Sequence, residues 1–224
     1  MYFNKTFFKN ILKFHFFILL LQSETKKRNK MSMKGTITTS DYLPYEEYKR
    51  LVESLAAEKE YFWCAYCIVS FCTGLRFSDI SKLRWGDIVG QRNLIVTEKK
   101  TSKTKRIPIG ENARAHIESL YKKLGSPSKT AFVIAGKNGQ PVSIQYVNKT
   151  LKEWRDRYAL DVENFSTHTF RKTFGRYVYE KSGRSNQALL YLNRIFRHAN
   201  LDTTMIYLGI RDEEIGSIFE SITI

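Results

Sequence analysis

The chain predicts a mainly α fold with one small antiparallel β-sheet, an α+β arrangement. Three observations carry that expectation. Apolar residues recur at helical spacing from Ser40 onward, the period shortens to that of strands between residues 87 and 109, and Gly or Pro separates the periodic runs. The length of 224 residues suits one domain with room for a small appendage, and a 42% hydrophobic share supplies a packed core, which excludes a disordered chain.

Residues 1–33 stand apart. Phe14–Leu21 is apolar except for His15 and follows Lys5, Lys9 and Lys13, in the manner of a signal-peptide core. No small-x-small cleavage site follows. Instead comes Lys26-Lys27-Arg28-Asn29-Lys30, and the apolar run is far short of the ~20 residues that span a bilayer. The expectation is therefore no membrane partner and translation from Met31 or Met33, with residues 1–33 as an extension and 34–224 as the domain.

Within that domain, Ser40 and Asp41 are expected to cap a helix whose apolar positions are Leu43, Tyr48, Leu51, Val52 and Leu55. A second helix, Glu58 to Thr73, is apolar nearly all round and so belongs at the buried centre; Gly74 ends it. Phe77 to Trp85 reads as a short helix with Ile80 and Leu83 inward, stopped by Gly86. Asp87–Val89, Asn93–Thr97 and Arg106–Ile109 then read as three short strands, the third placed at an edge by Pro108. Helices follow at 111–124 and 143–158, divided by the Gly- and Pro-punctuated stretch from Gly125 to Pro141. Three more, at 168–182, 187–197 and 202–208, complete the chain before a tail at 208–224.

Thirty-seven Lys and Arg against 22 Asp and Glu give a formal charge of +15 and point to a polyanionic partner bound in a salt-sensitive way. Residues 1–33 hold seven basic residues and one acid, so the rest keeps 30 against 21 and is basic in its own right. Cys64, Cys67 and Cys72 fall in one aromatic-rich run. An odd number so clustered makes a poor disulfide framework, and Cys64-x-x-Cys67 lacks a second ligand pair, so free buried thiols in a reducing, cytoplasmic setting are expected.

Chemistry concentrates in a few short strings. Thr73-Gly74-Leu75-Arg76 and His168-Thr169-Phe170-Arg171 each end on an arginine, and His198 precedes Tyr207 by nine residues. A phosphodiester under in-line displacement gathers negative charge on its non-bridging oxygens, for which guanidinium forks are permanently charged two-pronged donors. Arg76 and Arg171 are the candidate clamp. His168 and Arg171, three residues apart on a helix, share one face. Tyr207 is the candidate nucleophile. A phenol with a pKa of about 10 is only ~0.1% ionised at pH 7, a deficit of ~4 kcal/mol that neighbouring cations and a base would reduce.

These strings, in this order, resemble the catalytic domain of the tyrosine recombinase (phage integrase) family, over about Ser40 to Tyr207. The resemblance implies the DNA breaking-rejoining enzyme fold. Thr73–Ile80 resembles the first arginine box, His168–Arg171 the second, and His198 with Tyr207 the third. Lys100 falls in the turn between second and third strands, where the family carries its catalytic lysine, with Lys99 and Lys103 its nearest competitors. By this likeness His168 assists proton removal from Tyr207, His198 hydrogen-bonds a phosphate oxygen, and Lys100 protonates the departing 5′ oxygen.

The chain departs from the family in three places. Phe196-Arg197-His198 stands where Leu-Gly-His is usual, and Asp79 stands where Glu is commoner beyond the first arginine. Only about 40 residues precede the first helix, fewer than the roughly 50 of a minimal domain, where the family usually carries an N-terminal DNA-embracing domain; the expectation is a naturally short recombinase, with a truncated element-borne copy as the alternative. The tail after Tyr207 either closes the core in cis or docks on a neighbouring protomer.

The expected activity is site-specific recombination or integration through a 3′-phosphotyrosine intermediate, with no cofactor, metal or ATP. The expected partners are double-stranded DNA, further copies of the chain in a tetrameric synapse, and accessory DNA-bending proteins. Two alternatives share much of this sequence: DNA relaxation of the type IB topoisomerase kind, and a catalytically silent DNA-binding remnant.

Overall fold

A computed structural model describes residues 40–97, 104–210 and 219–222. Among them the elements run α1 (Tyr45–Ala57), α2 (Tyr61–Thr73), α3 (Phe77–Ile80), α4 (Trp85–Ile88), β1 (Asn93–Thr97) and β2 (Thr104–Pro108). Then come α5 (Glu111–Lys123), α6 (Ile144–Arg157), α7 (Thr169–Lys181), α8 (Asn186–Phe196) and α9 (Leu201–Leu208). The mainly helical expectation with a small antiparallel sheet is met. The extension, the turn holding Lys100 and most of the tail lie outside the described residues. No helix among the described residues is long and apolar enough to cross a membrane.

The apolar helix α2 is the centre, as its sequence requires. Trp63 through Ser70 are all buried, and the helix packs on α1, α5 and α7. Its rings link the layers: Tyr66 meets Phe170 of α7 edge-on at 5.7 Å, and Tyr48 of α1 stacks on Phe71 at 4.5 Å. The three cysteines are free, and burial pushes the Cys64 and Cys72 thiols up to about 11. Gly74 ends the helix at φ 58°, where a side chain would be strained and a Cβ would stand 2.7 Å from the Phe174 ring.

Three local expectations are corrected. Ser40 and Asp41 do not cap α1, because Leu43 precedes Pro44 and the residue before proline is pushed out of the helical region. Pro44 holds the cap position instead. Ser40 and Asp41 strap the chain onto the helical side of the site: Ser40 Oγ is 2.9 Å from Thr169 Oγ1, and Asn164 N donates to Asp41 Oδ2 at 2.9 Å.

The run Phe77 to Trp85 is two short helices with a turn between them, not one. Gly86 lies inside the second, where its N–H donates to the Lys129 carbonyl at 2.8 Å and a Cβ would crowd that carbonyl. Asp87–Val89 is not a strand. The Asp87 carboxylate accepts the Arg84 N–H at 2.8 Å and starts a helical turn that buries Trp85 and Ile88 three residues apart. The sheet therefore has two strands, β1 and β2, with Asn93 opposite Pro108 and Thr97 opposite Thr104. Leu94 and Val96 face the core while Ile95 is 67% exposed, the period of two expected of a half-buried strand.

Two apolar clusters result. The larger runs from Leu43 through Phe170; the smaller gathers Tyr179, Leu189, Leu192, Phe196 and Leu208. Helix α7 belongs to both, through Phe170 in its first turn and Tyr179 near its end. Gly175 makes the smaller cluster possible: a Cβ there would stand 2.5 Å from Leu208 Cδ2 and 2.8 Å from Phe196 Cζ. Gly175→Ala is expected to lower stability by about 1–3 kcal/mol through this overpacking, seen as a lower urea midpoint with an unchanged slope.

Candidate active site

The last turn of a helix leaves carbonyl oxygens without intrahelical partners, and the helix dipole makes that end attractive to cations. At the end of α8 three cations answer. Arg76 Nη2, from the α2–α3 connection, donates to the Phe196 carbonyl at 3.3 Å, and Arg171 Nη2, from α7, donates to the same oxygen at 3.1 Å. Lys105, from β2, donates its ammonium to the preceding carbonyl, Ile195. Arg171 also donates to the Gly74 carbonyl and lies over the Phe196 ring, with Cζ 4.4 Å from the centroid. It is 3% exposed.

The turn beyond α8 sets His198. Arg197 N donates to Arg194 O at 3.3 Å and His198 N to Asn193 O at 3.2 Å, the paired bonds of a Schellman turn. That turn needs a left-handed residue, and Arg197 occupies it at φ 53°, ψ 49°. Here lies the reason glycine suits this position, and the physical content of the departure noted in the sequence. Asn200 then caps α9 by accepting the Thr203 N–H at 2.8 Å, and the helix delivers Tyr207.

Tyr207 packs edge-on to His198, with ring centroids 5.0 Å apart, and to Phe196, at 5.3 Å. Its hydroxyl oxygen is buried and has no well-formed hydrogen bond among the described residues. Burial raises the phenol above its usual range. The Arg171 guanidinium, by charge and by its proximity as a donor, and then Arg76 pull it back down without cancelling that rise. The phenol oxygen thus sits buried beside two guanidinium groups, with Arg171 the nearer influence.

His168, at the start of α7, keeps much of its surface open to solvent, yet its pKa is lowered. Desolvation by the atoms packed about the ring comes first, then the charges of Arg171, Arg76 and Lys172. The imidazole is therefore neutral at pH 7 and able to accept a proton.

Of the residues singled out in the sequence, Arg76, Arg171, His168, His198 and Tyr207 are brought together at the seam of the two clusters. Lys100 lies outside the described residues. Asp79 is buried in α3, three residues beyond Arg76. Two basic residues escaped the sequence reading. Lys172 is 7% exposed, holds Nζ 5.0 Å from the centroid of the Tyr207 ring, and has its pKa lowered by desolvation, with Asp41 acting in the opposite direction. Lys105 ties the β1–β2 pair to the end of α8. Neither has a signal of its own in a chain so rich in lysine, although the placement of Lys172 directly after Arg171 was a clue. Among the described residues no three His, Cys, Asp or Glu side chains gather into a metal site.

The fold is that of tyrosine recombinase catalytic domains. Superposition on the XerH site-specific recombinase bound to a palindromic difH substrate gives a TM-score of 0.63 over 85% of this chain and 56% of that one, at 22% identity. A lambda integrase dimer bound to a COC′ core site gives 0.56 over 81% and 63%, at 20% identity. The chain belongs to the phage integrase family, whose family model matches residues 41–214. Tyrosine recombinase XerC of Proteus mirabilis is 27% identical over 155 residues, 68% of this chain and 49% of that protein. Probable integrase/recombinase YoeC of Bacillus subtilis is 29% identical over 164 residues, 73% of this chain and 84% of that protein. The chain thus spans about half the length of XerC.

Two measurements follow from this geometry. Arg197→Gly should relieve a left-handed penalty of about 1 kcal/mol while giving up the Arg197 side-chain interactions and adding some unfolded-state freedom, and a raised urea midpoint would show that the backbone strain is the larger. A fall would mean that contacts of the Arg197 side chain outweigh its backbone strain. In a histidine-resolved NMR titration, His168 should lose its proton below the ordinary value near 6.5, and Arg76→Ala should move it upward by removing a like charge. Because its folded pKa is depressed, its contribution to stability is complete above the unfolded value and is lost as pH falls through the folded one.

Proposed function

We propose that the chain is a site-specific DNA recombinase or integrase that cleaves and rejoins strands through a 3′-phosphotyrosine. One observation supports this most: Arg76 and Arg171 converge on the Phe196 carbonyl with the Tyr207 phenol within reach of both charges. Two guanidinium groups held on one acceptor are preorganised for the non-bridging oxygens of a single phosphate.

In the proposed reaction Tyr207 Oη attacks the scissile phosphorus and passes its proton to the neutral imidazole of His168. The bond from phosphorus to the 5′ oxygen breaks, and that oxygen takes a proton, from Lys100 by the family likeness. His198 donates to a non-bridging oxygen. The product is a phosphotyrosyl link to the 3′ strand end and a free 5′ hydroxyl. Attack by the 5′ hydroxyl of a partner strand reverses the step and releases the phenol. Bond energy is conserved in the link, so the reaction as proposed calls for no ATP, and the arginine pair supplies the positive charge that a metal would otherwise provide. Double-stranded DNA is the substrate. Exchange between two duplexes needs further copies of the chain on DNA, four in a full synapse, with accessory DNA-bending proteins where the sites lie apart.

A nicked suicide substrate, built on the DNA flanking the gene, tests this reading. The unmodified chain should give a covalent protein–DNA band that Tyr207→Phe abolishes. Arg76→Ala should slow its appearance by about 10²–10³-fold while leaving DNA affinity at matched salt within a few-fold, since the tightest contacts belong to the transition state. Arg171→Lys, which keeps charge but loses the fork, should behave similarly. Relaxation of plasmids without site preference would instead mark type IB topoisomerase chemistry. DNA binding with no adduct in the unmodified chain would mark a silent remnant.

A further inference from the structure

The ring of His198 is held by a short polar relay. Asn193, on α8, makes two side-chain bonds through Nδ2: to the Asn200 carbonyl at 2.6 Å and to Thr204 Oγ1 at 3.0 Å. The carbonyl of Asn200 can only accept, so the amide orientation of Asn193 is fixed and its second N–H points at the threonine. Thr204 Oγ1 therefore accepts from Asn193. Its other partner among the described residues is His198 Nδ1, at 3.0 Å. Thr204 is fully buried, 0% exposed.

A buried hydroxyl has one proton to place. If His198 Nδ1 carried a proton, Thr204 Oγ1 would receive donors from both sides and its own O–H would have no acceptor among the described residues, the costly arrangement in a buried site. If Nδ1 is a lone pair, every group is satisfied: Asn193 donates to Thr204, and Thr204 donates to His198. We propose that Asn193 and Thr204 are positioning residues that hold His198 as the neutral tautomer protonated on Nε2. His198 then presents a proton donor from Nε2, and its Nδ1 is withheld from base chemistry. The relay also connects the end of α8 to α9, since the Asn193 carbonyl takes the His198 N–H while its side chain takes Thr204, one turn before Tyr207.

The consequence for catalysis rests on the recombinase reading: His198 is a hydrogen-bond donor to a phosphate oxygen, and His168 is left as the proton acceptor. The tautomer itself does not rest on it. In the DNA-free full chain labelled with 15N-histidine, the His198 resonances, assigned by their loss in His198→Gln, should show Nδ1 unprotonated and Nε2 protonated at pH 7.5. Thr204→Ser should preserve that pattern, and Thr204→Val, which removes the donor, should shift it toward the Nδ1-protonated form. Unmodified protein with the proton on Nδ1, or a Thr204→Val spectrum indistinguishable from it, would overturn the proposal. The first of these needs no variant to fold.

In single-turnover cleavage of the nicked substrate, Thr204→Val should slow the chemical step about tenfold at unchanged DNA affinity, and Thr204→Ser should restore it. In a His198→Ala background the same substitution should cost little more, as expected for residues acting through one group. Equal slowing by Thr204→Val with and without His198 would overturn the positioning role. A chain that shows the expected tautomer yet cleaves no DNA would refute the recombinase reading and leave this one standing.

Discussion

The end of α8 is the point on which the site depends. A helix terminus must place its last carbonyl oxygens somewhere, and here Ile195 and Phe196 place theirs on Lys105, Arg76 and Arg171, drawn from three separate parts of the chain. Each donor arrives on a different element, so the bonds fasten the hairpin, the end of α2 and the start of α7 to one oxygen pair. The interaction is charge-assisted and largely desolvated, which strengthens it over the same contact in water. The shared Phe196 carbonyl offsets the repulsion between two like charges held side by side.

That arrangement has an electrostatic cost that explains the state of the other groups. Arg171 and Lys172 are buried, Arg76 is half-buried, and His168 stands beside them with its proton affinity reduced. Tyr207 shares the pocket with its hydroxyl lacking a well-formed hydrogen bond among the described residues and its proton held more tightly than in water, because burial outweighs the nearby charges. Such a pocket gathers the charges of Arg76 and Arg171 beside the Tyr207 hydroxyl. On the recombinase reading proposed above, a bound phosphate diester would relieve the repulsion and, by ordering the donors around charge that grows during reaction, favour the transition state over the ground state.

The turn between α8 and α9 shows how a local backbone rule shapes the same site. A Schellman turn places His198 one residue beyond a left-handed position, so the identity of residue 197 is a backbone matter before it is a chemical one. Arginine there accepts strain that glycine would avoid. The turn nevertheless closes, because Asn193 ties both its start, through the His198 N–H, and its far side, through Asn200 and Thr204. The tight approach of α7 to α8 and α9 at Gly175 then holds the helix that carries Tyr207 against the one that carries Arg171.

Periodicity and punctuation in the sequence were enough to determine the mainly helical class, the buried central helix closed by Gly74, and the bounds of the helices from Glu111 onward within a residue or two. The order of the two arginine strings, His198 and Tyr207 likewise determined which side chains to watch, because those residue types suit one phosphate. The start of α1 and the split of residues 77–88 into two short helices were harder to read. Pro44 and the Asp87 carboxylate override the apolar pattern there, and β-branched residues in a run of three fit a helical turn as well as a strand. What only the tertiary structure decided is that a single helix end gathers Arg76, Lys105 and Arg171, that Lys172 lies over the Tyr207 ring, and that Asn193 and Thr204 govern His198. These residues lie up to 120 positions apart, as Arg76 and Phe196 do, and neither helical nor strand periodicity reports which distant carbonyl a cation will find, because that depends on how α7, α8 and α9 pack.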